Sequence, residues 1–303
     1  MNVLIVGLGS IAIKHIMAIR QIMKNAIVYA LRSTVEAAEM DGVINLYSID
    51  EANMIKFDFA IISNPTSEHK KTIDALLVLK CPLFIEKPVS DTIKIQDTMD
   101  EIQRLGILTY IACNLRFLDS LKYVKTMISS DKKRINEVNV YCGSYLPEWH
   151  PGVDYRTLYS TQKHMGGGVQ FDLIHEIDYI YWIFGKPRKI KKTLRNVSSL
   201  QIDSIDYANY CLEYDGFCVG ITLNYYRRDY KRTMELLFDN CTWLVDLKKN
   251  QVVMDGVEAY SSAQQISDTY LDQMKYFWKL VEAGAKSSNN SIEEAYEVLK
   301  IGI

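Results

Sequence analysis

An aspartate and a histidine, Asp172 and His175, stand three residues apart at the start of an apolar segment with helical spacing. Residues three apart on a helix share a face, so the carboxylate could orient the imidazole and support its protonated form. A histidine placed in this way is a candidate general acid or base, a role typically worth about 10²- to 10⁴-fold in rate. The spacing leaves a second interpretation open, in which Asp172 only caps the helix and His175 belongs to the core.

A glycine-rich turn at residues 7–12 could bind a phosphate group. It follows an apolar run at residues 2–6 that predicts a strand buried on both faces, and an apolar helical pattern comes after it. Gly7 permits the sharp turn, Gly9 lets the backbone approach a pyrophosphate, and Ala12 is small enough for close packing of the helix on the strand. Because the helix N-terminus then faces the anion, the pattern favours a dinucleotide site over an ordinary glycine turn.

The second predicted strand, residues 26–31, is followed by Arg32 and Ser33 instead of the acid that usually binds the ribose 2′-hydroxyl of NAD. An acid would repel a 2′-phosphate, whereas an arginine and hydroxyl groups can bind it. The strand end therefore predicts NADP(H) as the preferred cofactor and NAD(H) as the other candidate. The alternative is that Arg32 is an ordinary surface arginine.

Strands and helices alternate along residues 1–118, which predicts a parallel, doubly wound α/β sheet. One of the helices is predicted to be capped by Ser90 and ended by Gly106. Ligands of such sheets bind beyond the carboxyl ends of the strands. We therefore expect one crevice to be lined by the residues that follow the strands, namely Gly7, Arg32, Asn64, Lys87 and Asn114.

The pattern changes in residues 119–303, where strand-like runs come in adjacent pairs. Turns such as 215–216 (Asp-Gly) and 239–240 (Asp-Asn) join them, which predicts a mostly antiparallel open sheet in an α/β domain. One face of residues 217–226 is apolar, and the more polar face is available to a partner subunit, so we expect a homodimer or homotetramer. The predicted domains are a dinucleotide-binding domain at 1–118 and a substrate-binding and oligomerisation domain at 119–303.

The segment 145–156 is rich in aromatic and hydrogen-bonding side chains, as a sugar site requires. Trp149 and Tyr155 could stack on a sugar ring, and Arg156 could bind a hydroxyl or an anionic group. The alternative is a structured loop with exposed aromatic side chains.

Charge and composition indicate a small-molecule partner. The 303 residues include 35 basic and 37 acidic side chains, giving a net charge of −2 without a patch that would favour nucleic acid or a membrane surface. No signal peptide or apolar window of about 18 residues is found, so we expect a cytoplasmic protein. The six cysteines lack the spacing of metal ligands, so no metal site is predicted and the thiols are expected to be buried and reduced.

Five motifs in order resemble the glucose-fructose oxidoreductase, inositol dehydrogenase and MocA (Gfo/Idh/MocA) family over nearly the whole chain: residues 7–15, 64–69, 86–88, 114–117 and 166–178. The resemblance implies an N-terminal Rossmann domain and a C-terminal α/β domain. It implies an NAD(P)-dependent oxidoreductase acting on a CH–OH group of a sugar or sugar derivative, with nucleotide-linked and acidic sugars among the candidates. Two alternatives stay open: cofactor-assisted glycoside cleavage or elimination, and a non-catalytic NADP(H)-binding sensor.

The resemblance also implies site residues. Lys87 would lie beside the nicotinamide and the substrate, with Asp172 and His175 completing the catalytic set. The predicted cofactor-binding residues are Gly7, Gly9, Ser10, Ile11, Ala12, Arg32, Ser33, Asn64, Pro65, His69, Glu86 and Lys87. The predicted substrate-binding residues are Asn114, Arg116, Trp149, Tyr155 and Arg156.

Overall fold

The computed structural model describes residues 1–36, 38–130 and 133–303. The strands are β1 (Asn2–Val6), β2 (Ile27–Leu31), β3 (Val43–Leu46), β4 (Phe59–Ile62), β5 (Leu83–Ile85), β6 (Thr109–Ile111), β7 (Ile135–Tyr145), β8 (Lys189–Arg195), β9 (Tyr207–Glu213), β10 (Cys218–Asn224), β11 (Tyr226–Phe238), β12 (Thr242–Asp246), β13 (Gln251–Met254) and β14 (Val257–Ser261). The helices are α1 (Ser10–Ile22), α2 (Ile49–Asn53), α3 (His69–Leu76), α4 (Gln96–Leu105), α5 (Asp119–Ser130), α6 (Val169–Asp172), α7 (His175–Phe184), α8 (Thr269–Glu282) and α9 (Ile292–Gly302).

The chain divides into two compact units. The first contains Met1–Cys113 and Tyr270–Leu299, and the second contains Asn114–Thr269 and Lys300–Ile303. The chain thus returns to the first unit near its end. The functional domain boundary between residues 118 and 119 stays a prediction.

The first unit is built on a six-stranded sheet with the order β3-β2-β1-β4-β5-β6, and every neighbouring pair is parallel. This confirms the predicted doubly wound sheet, whose order reverses between β1 and β4. Val3, Leu4 and Ile5 are fully buried, as a central strand covered on both faces requires. Helix α8 packs onto the same sheet, since the Phe277 ring lies 5.3 Å from that of Phe59.

The second unit is built on an eight-stranded sheet with the order β14-β13-β12-β11-β7-β10-β9-β8. Only the β7–β10 pair is parallel, so the predicted mostly antiparallel sheet is confirmed. The two predicted hairpin turns join β9 to β10 and β11 to β12. Alternate residues of β10, such as Val219 and Ile221, are fully buried, whereas Cys218 of the same strand and Tyr226, the first residue of β11, are exposed.

Three details differ from the predictions. Ser90 does not cap a helix, because α4 begins at Gln96 and its N-cap position is Ile95, which provides no side-chain cap. The Ser90 hydroxyl instead accepts the Thr92 N–H in a local turn. Strand β8 was not predicted, because its charged sequence KIKKTLR suits an exposed sheet edge and has no alternation to detect. Cys218 is exposed, so the expectation of buried thiols is wrong at that position.

None of the helices among the described residues has both the length and the apolar character that a membrane crossing requires.

Candidate functional site

A cleft of about 610 Å³ opens where β1, β2 and β4 of the first unit end. This is the point at which the strand order reverses, the usual ligand position in such sheets. The cleft brings together several of the predicted cofactor-binding residues, namely Gly7, Arg32, Ser33, Asn64 and Pro65.

Gly7 shapes the wall of this cleft. Its φ is +88°, and a Cβ at this position would lie 2.3 Å from the Asn64 backbone nitrogen. The Ser63 hydroxyl also donates to the Gly7 carbonyl oxygen at 2.8 Å. Glycine is therefore required here, both for the backbone conformation and for the close approach of the turn to the end of β4.

Gly9 has a different geometry. It precedes α1 with φ −89°, and a Cβ at this position would meet no atom of the described structure within 4 Å. The space in front of a 13-residue helix N-terminus is thus open, and the first turn of the helix carries no acidic residue. Both features suit an anionic pyrophosphate. Ala12 is fully buried, consistent with its predicted packing role, and Ser10 is exposed at the helix start.

The end of β2 presents Arg32 to the cleft. Its Nη1 donates to Asn45 Oδ1 at 3.2 Å, which holds the guanidinium partly buried. Ser33 is exposed beside it. The strand is followed directly by Arg32 and Ser33 and not by a carboxylate residue, so its end can accommodate a phosphate next to a ribose.

His69 connects the segments that follow β4 and β5. Its Nε2 lies 3.0 Å from the Asn64 carbonyl oxygen and its Nδ1 lies 2.9 Å from that of Pro88. The side chain is 1% exposed, and this burial lowers the pKa of the imidazole despite the two carbonyl groups and Glu86. The ring fixes the positions of both segments, while its predicted contact with a cofactor stays a prediction.

Glu86 is bound to a buried histidine. Its Oε1 lies 2.6 Å from His15 Nε2, and its Oε2 accepts the backbone N–H of Lys87 at 3.2 Å. The His15 ring is completely buried and packs edge-on against Phe84, with 4.9 Å between ring centroids. Because His15 belongs to α1, the pair ties the helix behind the glycine turn to the backbone of Lys87, whose side chain is half-buried.

The predicted helix containing Asp172 and His175 is divided in two. Asp172 ends α6, two residues form a turn, and His175 begins α7, so Asp172 is not the N-cap of the helix. The Asp172 carboxylate accepts a hydrogen bond from the Tyr225 hydroxyl at 2.5 Å. Burial, together with the charge of Asp172, raises the pKa of Tyr225 well above its usual value, so Tyr225 remains a donor.

Two buried ion pairs hold α7. Arg116 pairs with Asp178 at 2.6 Å through both carboxylate oxygens, and Arg232 pairs with Glu176 at 2.6 Å in the same way. These bidentate pairs fix the helix that His175 begins. The Arg116 side chain is 0% exposed, so the structure gives it a positioning role, and its predicted substrate contact stays a prediction.

The remaining predicted substrate residues have different hydrogen-bond partners, and the Arg156 guanidinium lies 5.2 Å from the centroid of the Tyr155 ring. Trp149 donates from Nε1 to Ser144 Oγ at 3.0 Å, and its ring packs edge-on against Tyr225 at 5.4 Å. The Tyr155 hydroxyl donates to the Leu200 carbonyl oxygen, and Arg156 is largely exposed. Asn114 is buried and donates to Thr269 Oγ1 at 2.7 Å. Trp149 is connected to Asp172 through Tyr225.

Sequence reasoning did not assign roles to His15, Tyr225 or Arg232. His15 is 71 positions from Glu86, and Tyr225 is 53 positions from Asp172. The one available signal for Tyr225 was its place on the apolar face of the strand pattern, which does not identify a partner.

Comparisons with known proteins agree with this architecture. Residues 1–107 match the family model described as "Oxidoreductase family, NAD-binding Rossmann fold", and residues 122–243 match the "GFO/IDH/MocA C-terminal domain". Myo-inositol 2-dehydrogenase of Thermotoga maritima is 23% identical over 94% of this chain and 89% of its own length.

Solved structures share the fold at low identity. Levoglucosan dehydrogenase in complex with NADH superposes with a TM-score of 0.84 at 17% identity, covering 100% of this chain and 95% of its own. UDP-N-acetylglucosamine 3-dehydrogenase from Acidithiobacillus ferrooxidans gives 0.79 at 16% identity, with the same coverage. The family models match both parts of the chain, 1–107 and 122–243, and show that the chain belongs to the Gfo/Idh/MocA oxidoreductase family.

Proposed function

We propose that this protein is an NAD(P)-dependent dehydrogenase that transfers hydride to or from a CH–OH carbon of a sugar or sugar derivative. The proposal rests on the cleft at the ends of β1, β2 and β4, together with the open space around Gly9 in front of α1. The family membership and the sugar and inositol dehydrogenases among its relatives support the substrate class.

NADP(H) is the proposed preferred cofactor. Arg32 lies in the cleft at the end of β2, its guanidinium is oriented by Asn45, and Ser33 is exposed beside it. A charge-assisted contact to a 2′-phosphate is worth about 1.5–3 kcal/mol. Replacing Arg32 by alanine should therefore weaken NADPH by at least about tenfold and leave NADH nearly unchanged. Equal affinity of the unmodified protein for the two cofactors in a titration would contradict the preference.

The proposed catalytic residues are Lys87, Asp172 and His175. Bound NAD(P) supplies the hydride chemistry, and the chain must position the substrate, exclude water and move one proton. In the oxidation direction His175 accepts the hydroxyl proton, and Lys87 donates a hydrogen bond to the same oxygen and stabilises its developing charge. Asp172, itself held by Tyr225, supports the protonated imidazole.

Variants of these residues test the assignment. Lys87→Met and His175→Ala should each lower kcat by about 10²-fold or more and leave cofactor affinity nearly unchanged. Asp172→Asn should lower kcat less and shift its pH dependence, because the amide cannot stabilise the imidazolium charge. Melting temperature, measured on the same preparations, identifies any variant whose loss of activity is a loss of folded protein. A His175→Ala protein with undiminished kcat would remove His175 from the mechanism.

The reaction itself is tested by a screen of sugars, inositols and nucleotide sugars with both cofactors, followed at the nicotinamide absorbance. Turnover with at least one CH–OH substrate is expected. Tight binding of cofactor without net reduction by any substrate in the screen would contradict a simple dehydrogenase.

A further inference from the structure

A second recess, of about 410 Å³, lies within the second unit where β7 ends. We call it the Trp149 pocket, and the residues that matter here are Tyr145, Glu148, Trp149, Leu173, Arg228 and Arg232. Leu173 directly follows Asp172, and the Trp149 ring contacts Tyr225, whose hydroxyl binds Asp172. Leu173 and Tyr225 therefore connect the pocket to Asp172, the proposed catalytic carboxylate.

Arg228 supplies an uncompensated charge to this pocket. Its guanidinium lies over the Tyr145 ring, 4.2 Å from the centroid, and donates to the Tyr145 hydroxyl at 3.1 Å. In the described parts of the chain no carboxylate lies within ion-pair distance of Arg228. The neighbouring arginines differ, since Arg227 pairs with Asp229 at 2.5 Å and Arg232 with Glu176 at 2.6 Å.

The other charged groups of the pocket do not cancel this charge. At the buried end the carboxylate of Glu176 neutralises Arg232. Glu148 is an exposed carboxylate of the lining, outside ion-pair distance of Arg228. The N–H groups of a guanidinium form a planar fork, a shape that matches a carboxylate.

The aromatic part of the pocket suits a sugar ring. Trp149 is fixed at its indole N–H by Ser144, so its ring is held in one orientation. Fixed aromatic rings offer apolar area for a sugar face at low entropic cost, and the polar edge of the sugar can then face a charged side chain.

On the basis of the proposed function, we infer that the Trp149 pocket binds an acidic sugar, with the ring against Trp149 and a carboxylate on Arg228. One unpaired guanidinium balances the single charge of a carboxylate. A phosphate carries about −1.5 to −2 at neutral pH and would face Glu148 with an excess of negative charge. Among the candidate substrates, sugars of the uronic acid type therefore fit this pocket best.

The experiment compares glucuronate, glucose and glucose 6-phosphate as ligands of the protein saturated with NADP⁺. Calorimetric titration gives affinities that do not depend on turnover, and kcat/KM is measured for whichever compounds react. We expect glucuronate to bind more tightly than glucose and more tightly than the phosphate. Arg228→Gln should reduce the preference for glucuronate over glucose by about 10- to 100-fold.

Arg227→Gln is the matched control, because this neighbouring arginine is paired with Asp229 and is not part of the pocket lining. It should leave the preference unchanged. Equal effects of the two substitutions, or tighter binding of glucose than of glucuronate by the unmodified protein, would overturn the inference. Tighter binding of the phosphate would overturn the carboxylate assignment. If glucuronate binds through Arg228 but no sugar reduces the cofactor, the inference stands and the proposed dehydrogenase function fails.

Discussion

Alanine substitutions at Gly7 and Gly9 should separate the folding role of the glycine turn from its role in binding. Gly7 has φ +88°, and an added Cβ would lie 2.3 Å from a backbone atom of Asn64. Gly9 has φ −89°, and an added Cβ would meet nothing within 4 Å. The substitution at Gly7 should therefore lower the stability of the folded protein. The substitution at Gly9 should weaken only the binding of a ligand in front of α1.

The expected magnitudes follow from these geometries. At Gly7 the unfavourable backbone conformation costs about 1–2 kcal/mol and the overlap about 1–3 kcal/mol more. At about 2–4 °C per kcal/mol, the melting temperature should fall by roughly 10 °C. Gly9→Ala should leave the melting temperature unchanged or slightly raised, because alanine tolerates this backbone conformation and restricts the unfolded chain. Its methyl group occupies space that a pyrophosphate needs, so NADPH affinity should fall at least about tenfold.

The assay combines a thermal melt without cofactor and a fluorescence titration with NADPH. Gly106→Ala is the control for backbone strain, because Gly106 has φ +62°, ends α4 and has open space around its Cβ position. It should lower the melting temperature by about 5 °C without changing NADPH affinity. A Gly9→Ala protein that binds NADPH as tightly as the parent would refute the assignment of this turn as the pyrophosphate site.

Further predictions concern pH, lysine positioning and assembly. Burial lowers the pKa of His69, so the folded protein binds fewer protons than the unfolded chain below about pH 6.5. Its melting temperature should therefore fall as the pH drops from about 7 to 5. In a series of melts, His69→Gln should flatten that pH dependence. Glu86→Gln weakens the contact that fixes the backbone of Lys87, so kcat should fall about tenfold. NADPH affinity, measured by titration, should stay within about twofold of that of the parent protein. A parallel loss of affinity would show that Glu86 acts on the cofactor instead. The face of the second sheet that carries Cys218 of β10 and Tyr226 at the start of β11 should join subunits, so light scattering at micromolar concentration should give a dimer or tetramer. Tyr226→Glu should shift the protein towards monomer, and a monomeric parent protein would contradict this prediction.

The parts of the site that could be predicted from the sequence are those set by local chemistry. The glycine turn, the buried strand before it and Arg32 at the end of β2 each follow from the residues within one strand–turn–helix unit. Parallel strands end at one edge of a sheet, so Asn64 could be placed beside Gly7 without further information.

Pairings between distant segments could not be predicted in this way. Nothing in the local sequence of α1 indicates that His15 binds Glu86, and Arg116 gives no local sign of its pairing with Asp178, 62 positions away. The break between Asp172 and His175 was missed because an apolar periodicity of 3.6 residues continues across it. Charged edge strands such as β8 lack the alternation that identifies strands, because only one neighbour fixes their position.

Transfer of deuterium tests the central claim most directly. A sugar or sugar acid that reacts in the screen is prepared with deuterium at its CH–OH carbon and incubated with the protein and NADP⁺, and the cofactor is then analysed by mass spectrometry. The account predicts reduced cofactor carrying one deuterium, and about 10²-fold slower transfer in the His175→Ala protein. Conversion of the sugar with no deuterium in the recovered cofactor would contradict net hydride transfer as the reaction of this protein.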